Sequence, residues 1–194
     1  MLKVKLVGSD YDLKKIKMSR FNYRRNLISL FDLMQDDEDQ MLFSVKCVNN
    51  NYERFELFLK TNFQNYYHEF FVVEDETEFG LKGCLYSYDY HPQDGWLKIC
   101  VVANKKYRGT GFGAQATIEF MDYLFRNYPL RKIYSPTFSY NNSSIEGQKS
   151  AGMVEEGRYK EYRYYDGKYH DLVILSISRE DFYKRYSKML YESK

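Results

Sequence analysis

The chain has 194 residues, 44% hydrophobic and 19% aromatic, which suits one folded domain and excludes a disordered chain. Its 29 basic and 27 acidic residues leave a net charge of +2, which argues against a general nucleic-acid-binding surface. Cys47, Cys84 and Cys100 are odd in number and lack metal-ligand spacing, so a reducing, cytoplasmic setting with no structural disulfide and no metal is expected. No apolar run approaches the roughly 20 residues that span a bilayer. The opening MLKVKLVGSD lacks the apolar core of a signal peptide, so neither a leader nor a membrane is expected.

In chain order, Leu2 to Val7 alternates apolar and charged residues and predicts a half-buried strand. Ser9 and Asp10 are helix-start residues ahead of Tyr11 to Phe21, where a helix is predicted. A second helical stretch over 22–40 carries Leu27, Leu30, Phe31 and Met34 and ends in Asp36-Asp37-Glu38-Asp39. That acidic run reads as solvated surface, or as a wall that attracts a cationic amine. Tyr52, Phe55, Phe58, Leu59 and Phe63 fall at helical spacing. Strands follow at Phe70–Val73, Leu81–Tyr88 and Trp96–Val102, the last two joined through the turn signal Asp94-Gly95. Strand Ile133–Phe138 contains Pro136, which cannot donate a ladder hydrogen bond and so needs an unpaired side. A short helix runs from Tyr140 towards Ala151-Gly152-Met153. Strands Arg158–Tyr165 and Lys168–Ser178 then flank Asp166-Gly167, a strong hairpin signal. The 21 tyrosines are amphipathic residues that suit sheet faces and rims, or line a substrate groove.

The most informative stretch is Ile99 to Asn127. An apolar strand end (Ile99 to Val102) leads through Lys105, Lys106 and Arg108 to Gly109, Gly111 and Gly113. A helical face then places Ala114, Ile118, Met121 and Phe125 on one side. A glycine turn at a helix N-terminus brings bare backbone amides and the positive end of the helix dipole to one place, which suits phosphate oxygens. The spacing does not fit the dinucleotide fingerprint, and Gly113 is followed by Ala114 where a phosphate loop has Lys-Ser/Thr.

Arg108-x-x-Gly111-x-Gly113 resembles the R/Q-x-x-G-x-G/A signature of the GNAT N-acetyltransferases. Asn141, Ser144, Gly152-Met153 and Glu156-Gly157 resemble the N-x-x-S/A…G-F-x-x-E-G pattern of the branch that includes ribosomal-protein N-terminal and spermidine acetyltransferases. The likeness covers residues from about 81 to 180. It implies an α/β (α+β) GNAT fold: a central mixed, mostly antiparallel sheet splayed between its fourth and fifth strands and flanked by helices. It also implies a single domain, with acceptor-side elements over 1–66, an acetyl-CoA-binding core over 67–140 and a helix, hairpin and tail over 141–194.

The resemblance further implies acetyl-CoA as cosubstrate and a small-molecule or peptide amine as acceptor: a protein N-terminus, a polyamine, an amino sugar or an antibiotic amine. The protein would act as a monomer or homodimer, with no nucleic-acid partner. Carried over residue by residue, Arg108, Gly109, Thr110, Gly111, Phe112, Gly113 and Ala114 would cradle the diphosphate. Val101, Val102 and Ala103 would pair with the pantetheine arm, and Asn141 and Ser144 would also face it. Two family features are replaced here: the thiol-protonating tyrosine by Gln148, and a strand glutamate base by Lys98. Ser144 is the substitute proton donor, acting through water. His91 is the base candidate best matched in pKa, beside Asp89, Asp94, Glu155 and Glu156. His68 and His170 read as structural or surface residues. The two replacements also allow a catalytically weak acyl-CoA-binding or regulatory module as the alternative.

Overall fold

A computed structural model describes residues 3–6, 9–12, 16–35, 51–75 and 80–191, with side chains at 3–12 and 62–65 left undescribed. Strands β1 (Lys3–Leu6) and β2 (Ser9–Asp12) pair antiparallel, with Leu6 opposite Ser9, apart from the main sheet. This corrects the helix expected from Tyr11 to Phe21. Part of that stretch is β2, and another part is the two-residue β3 (Ser19–Arg20), which lies on the edge of β4 (Tyr67–Glu74). Tyr11 pairs with Val4 in the small sheet, and the open edge of β4 takes up Ser19 and Arg20 opposite Val72 and Phe71.

Helix α1 (Tyr23–Leu33) starts at Asn22, whose Oδ1 accepts from Arg25 N at 3.1 Å while Asn26 Oδ1 accepts from Asn22 N at 2.9 Å. It buries Leu27, Leu30 and Leu33, ending before the acidic run, which lies outside the described residues. Helix α2 (Tyr52–Tyr66) buries Phe55 and Leu59 beside them. Next come β5 (Leu81–His91) and β6 (Trp96–Ala103), then α3 (Phe112–Asn127) and β7 (Lys132–Phe138). The chain continues through α4 (Asn142–Ser150), β8 (Val154–Tyr165), β9 (Lys168–Ser178) and α5 (Arg179–Tyr191).

Among the described residues the main sheet has seven strands in the order β3-β4-β5-β6-β7-β9-β8, and β6–β7 is its one parallel pair. Both faces of its central strands are covered, while β8 stays largely exposed. Leu85, Leu97 and Ile99 point to the α3 and α5 side, where Ile118, Met121, Phe125 and Phe182 pack. Cys84, Tyr86 and Val102 point to the α1 and α2 side. Each such fully buried apolar side chain contributes roughly 1.5–3 kcal/mol, enough to hold the central strands while one pair of them parts. At the β8–β9 hairpin, Asp166 and Gly167 both have positive φ (49° and 76°), as a two-residue primed turn requires.

Candidate active site

Strands β6 and β7 pair only at Trp96↔Lys132, Leu97↔Ile133 and Lys98↔Tyr134. Beyond Lys98, β6 stays paired to β5 as far as Ala103↔Gly83, and β7 stays paired to β9 as far as Phe138↔Leu172. The two strands are held by their outer neighbours while they separate from each other. Pro136 lies in the separated half of β7, where its missing N–H leaves no gap in a β6–β7 ladder.

The separation opens a cleft of about 460 Å³. Val101, Val102 and Ala103 line one wall, and Ser135, Pro136 and Thr137 the other. Arg108, Gly109, Gly111, Gly113 and Ala114 lie at one end, while Asn141, Ser144 and Gln148 come in from α4. Distant stretches of the sequence thus converge on one space.

The glycine turn is built locally. Asn104 caps a short 3-10 turn (Lys105–Tyr107), accepting from Lys106 N at 3.1 Å and donating to Leu81 O at 3.3 Å. The Tyr107 hydroxyl bonds Asp75 at the end of β4, and Arg108 Nε donates to Ala103 O at 3.1 Å. Gly109 and Gly111 have φ of +73° and +86°, which L side chains rarely adopt. Gly111 is the N-cap of α3 and supplies no side-chain cap, so the first-turn amides keep their hydrogen-bonding capacity for another partner.

Two of the expected cradle residues serve the turn itself and do not line the cleft. Thr110 Oγ1 donates to Tyr107 O at 2.7 Å. The Phe112 ring lies on β5 at Gly83, where a Cβ would come within 2.9 Å of it and would overlap the Val102 carbonyl oxygen. Gly83 therefore seats the N-terminus of α3. The sequence carried this only as a glycine inside a strand pattern.

Asn141 is the N-cap of α4, its Oδ1 accepting from Ser144 N at 3.3 Å and from Ser143 Oγ at 3.3 Å, which leaves its Nδ2 outside the cap. The helix closes at Gly152 (φ +87°), with Met153 N donating to Gln148 O and Gly152 N to Lys149 O. Ser144 Oγ and Thr137 Oγ1 both accept from Gln148 Nε2, at 2.9 and 2.8 Å.

None of the base candidates lines this space. His91 is in the β5–β6 turn region, stacked on Trp96 with ring centroids 3.9 Å apart and Nδ1 3.8 Å from Asp94. Asp89 bonds Lys98 Nζ at 2.8 Å. Glu155 is held below the usual carboxylate range by Arg158, and Glu156 by Lys132 and Ser176, so both are poor bases at neutral pH. His68 sits between the Tyr90 and Tyr128 rings with its pKa lowered by burial, and His170 faces Tyr165 O. Cys100 does line the cleft, and burial pushes its thiol up to about 11, with the Tyr86 hydroxyl pulling slightly the other way. Among the described residues no group of His, Cys, Asp and Glu could hold a metal, and no helix is long and apolar enough to cross a membrane.

Residues 23–154 match the family model described as Acetyltransferase (GNAT) domain. A curated relative, the SPbeta prophage-derived uncharacterized N-acetyltransferase YokL of Bacillus subtilis, is 24% identical over 59% of this chain and 64% of its own length, just under two thirds. Spermidine N-acetyltransferase from Vibrio cholerae, crystallised with CoA and spermine, superposes with a TM-score of 0.77 at 19% identity, over 87% of this chain and 98% of that one. A dodecameric structure of the Vibrio cholerae spermidine N-acetyltransferase in an intermediate state gives 0.71 at 20% identity, over 93% and 99%. At these identities the solved structures speak for the fold, while the family model spans most of the chain. The protein belongs to the GNAT acetyltransferase family.

Proposed function

We propose that this chain is an acetyl-CoA-dependent N-acetyltransferase that moves an acetyl group to a primary amine by direct attack on the thioester. The observation that carries the reading is the wedge between β6 and β7, lined at one end by the uncapped first turn of α3.

The lining suits such a carrier by its donors. The amides of Gly109 to Ala114, with Arg108, would hold the diphosphate. The separated backbone of Val101–Ala103 has ladder groups to pair with an amide-containing arm, and one of its N–H groups would face the oxyanion. Asn141 Nδ2 would add a side-chain donor. The bound carrier supplies an acyl carbon activated as a thioester. Direct attack is favoured over an acyl-cysteine, because Cys100 keeps its proton at neutral pH and a thiol is a weak nucleophile.

The acceptor is a protein N-terminus, a polyamine, an amino sugar or an antibiotic amine. Spermidine and spermine head the test panel, because a solved structure of this fold holds spermine. The second reading, a catalytically weak acyl-CoA-binding module, draws on Lys98 and Gln148, which leave the cleft without the glutamate and tyrosine that the resemblance led us to expect. Calorimetry with CoA, followed by thiol release on the amine panel, separates the two. Binding with turnover on one amine supports the enzyme; binding without turnover on any supports the module. No CoA binding ends both. Light scattering tests the monomer or homodimer against a larger assembly.

A further inference from the structure

On the β7 wall of the cleft, the Gln148 side chain stands between two hydroxyls. Its Nε2 donates to Thr137 Oγ1 at 2.8 Å and to Ser144 Oγ at 2.9 Å, while its Oε1 is buried with no partner among the described residues. These distances alone allow the amide to be turned end for end, and the polarity count decides. Reversed, two buried N–H donors would lose their partners in place of one carbonyl oxygen, and orphaned N–H groups are the rarer state. With Nε2 facing them, both hydroxyls accept from Gln148, so each keeps its own O–H to donate elsewhere. Thr137 is 7% exposed, and among the described residues neither hydroxyl proton meets a protein acceptor. Both residues line the cleft. Two neutral donors fixed to one nitrogen, one of them buried, suit a centre that becomes negative during reaction.

The geometry points to Gln148 as a positioning residue that turns Thr137 and Ser144 into paired hydroxyl donors for the carrier's sulfur as it leaves. This rests on the acetyl-CoA reading above. In the transfer, the amine nitrogen bonds to the acyl carbon and the carbon–sulfur bond breaks with its electron pair on sulfur. The proton shed by the amine passes through water and ends on that sulfur. Gln148 gives up no proton; the hydroxyl pair holds the charge until one arrives.

The thiol of bound CoA reports on the pair without turnover. Thiolate absorbance is titrated against pH, as the difference between complexes with CoA and with its desulfo analogue, so that the protein's own cysteines cancel. In the unaltered protein the bound thiol should titrate about one pH unit below free CoA. Thr137→Val and Gln148→Met should each move it back towards the free value while CoA affinity holds. A bound thiol that titrates no lower than free CoA, or that does not move in either variant, overturns the donor pair and leaves the carrier reading standing. If Gln148→Met loses CoA, Thr137→Val, which keeps the side chain's shape, decides. Failure of the unaltered protein to bind CoA removes both readings.

Discussion

Phe112 rests on Gly83: a Cβ at position 83 would lie 2.9 Å from the Phe112 ring. The first residue of α3 is thereby fixed near the start of β5, and the glycine turn before it inherits its position from that contact. Gly83→Ala should cost about 1–3 kcal/mol, because the added methyl also meets a backbone carbonyl that cannot swing away. It should weaken CoA binding as well. An unchanged denaturant midpoint would show that the strand accommodates the methyl.

Gly111 tests the cradle more directly. At φ +86° a β-branched residue is strained by roughly 1–3 kcal/mol, and its side chain would stand where the turn faces the cleft. Gly111→Val should therefore abolish CoA binding in calorimetry while circular dichroism stays that of a folded chain. Retained binding would count against the cradle.

Ser144 separates binding from chemistry. Its backbone N–H belongs to the cap of α4, whereas its hydroxyl belongs to the cleft. Ser144→Ala keeps the first and deletes the second. Turnover should fall roughly a hundredfold, the lower end for losing one preorganised donor to a developing negative charge, with little change in CoA affinity. Equal rates for the two proteins would remove Ser144 from the reaction.

Alkaline stability follows from the buried thiols and phenols. Burial raises the Cys100 thiol from 9.0 to about 11 and the Tyr66 hydroxyl from 10.0 to about 12, and pushes Cys84 up as well. The folded chain thus keeps protons that the unfolded chain releases. Stability from these groups is complete below the unfolded values and is lost as pH rises from about 9 towards 12. The urea midpoint should fall steadily over that interval, and Cys100→Ala should make the fall shallower. Alkylation of Cys100 by iodoacetamide should stay slow until the same interval is reached.

Elements set by neighbours in sequence were legible from the sequence alone. The strand, turn and helix from Ile99 to Asn127 came through, because an apolar run, glycines at positive φ and a helical apolar face are local signals. The β8–β9 hairpin came through on Asp166-Gly167 for the same reason. The Tyr11–Phe21 stretch did not: Tyr11 and Asp12 pair with β1, and Ser19 and Arg20 pair with the edge of β4 about 50 residues away. The acidic run at Asp36 and the thiol of Cys47 lie outside the described residues.

By itself the sequence determined that this chain folds as one family of mixed sheet and helix, and where its glycine turn lies. Only the tertiary structure decided what surrounds that turn. It parted β6 from β7 after Lys98, stacked His91 on Trp96 away from the cleft, and brought Thr137, Ser144 and Gln148 within hydrogen-bonding reach. The physical reason is range. Backbone conformation and amphipathic spacing act over a few residues, whereas a cleft wall and the direction of a hydroxyl depend on side chains that meet only when the sheet has closed around them.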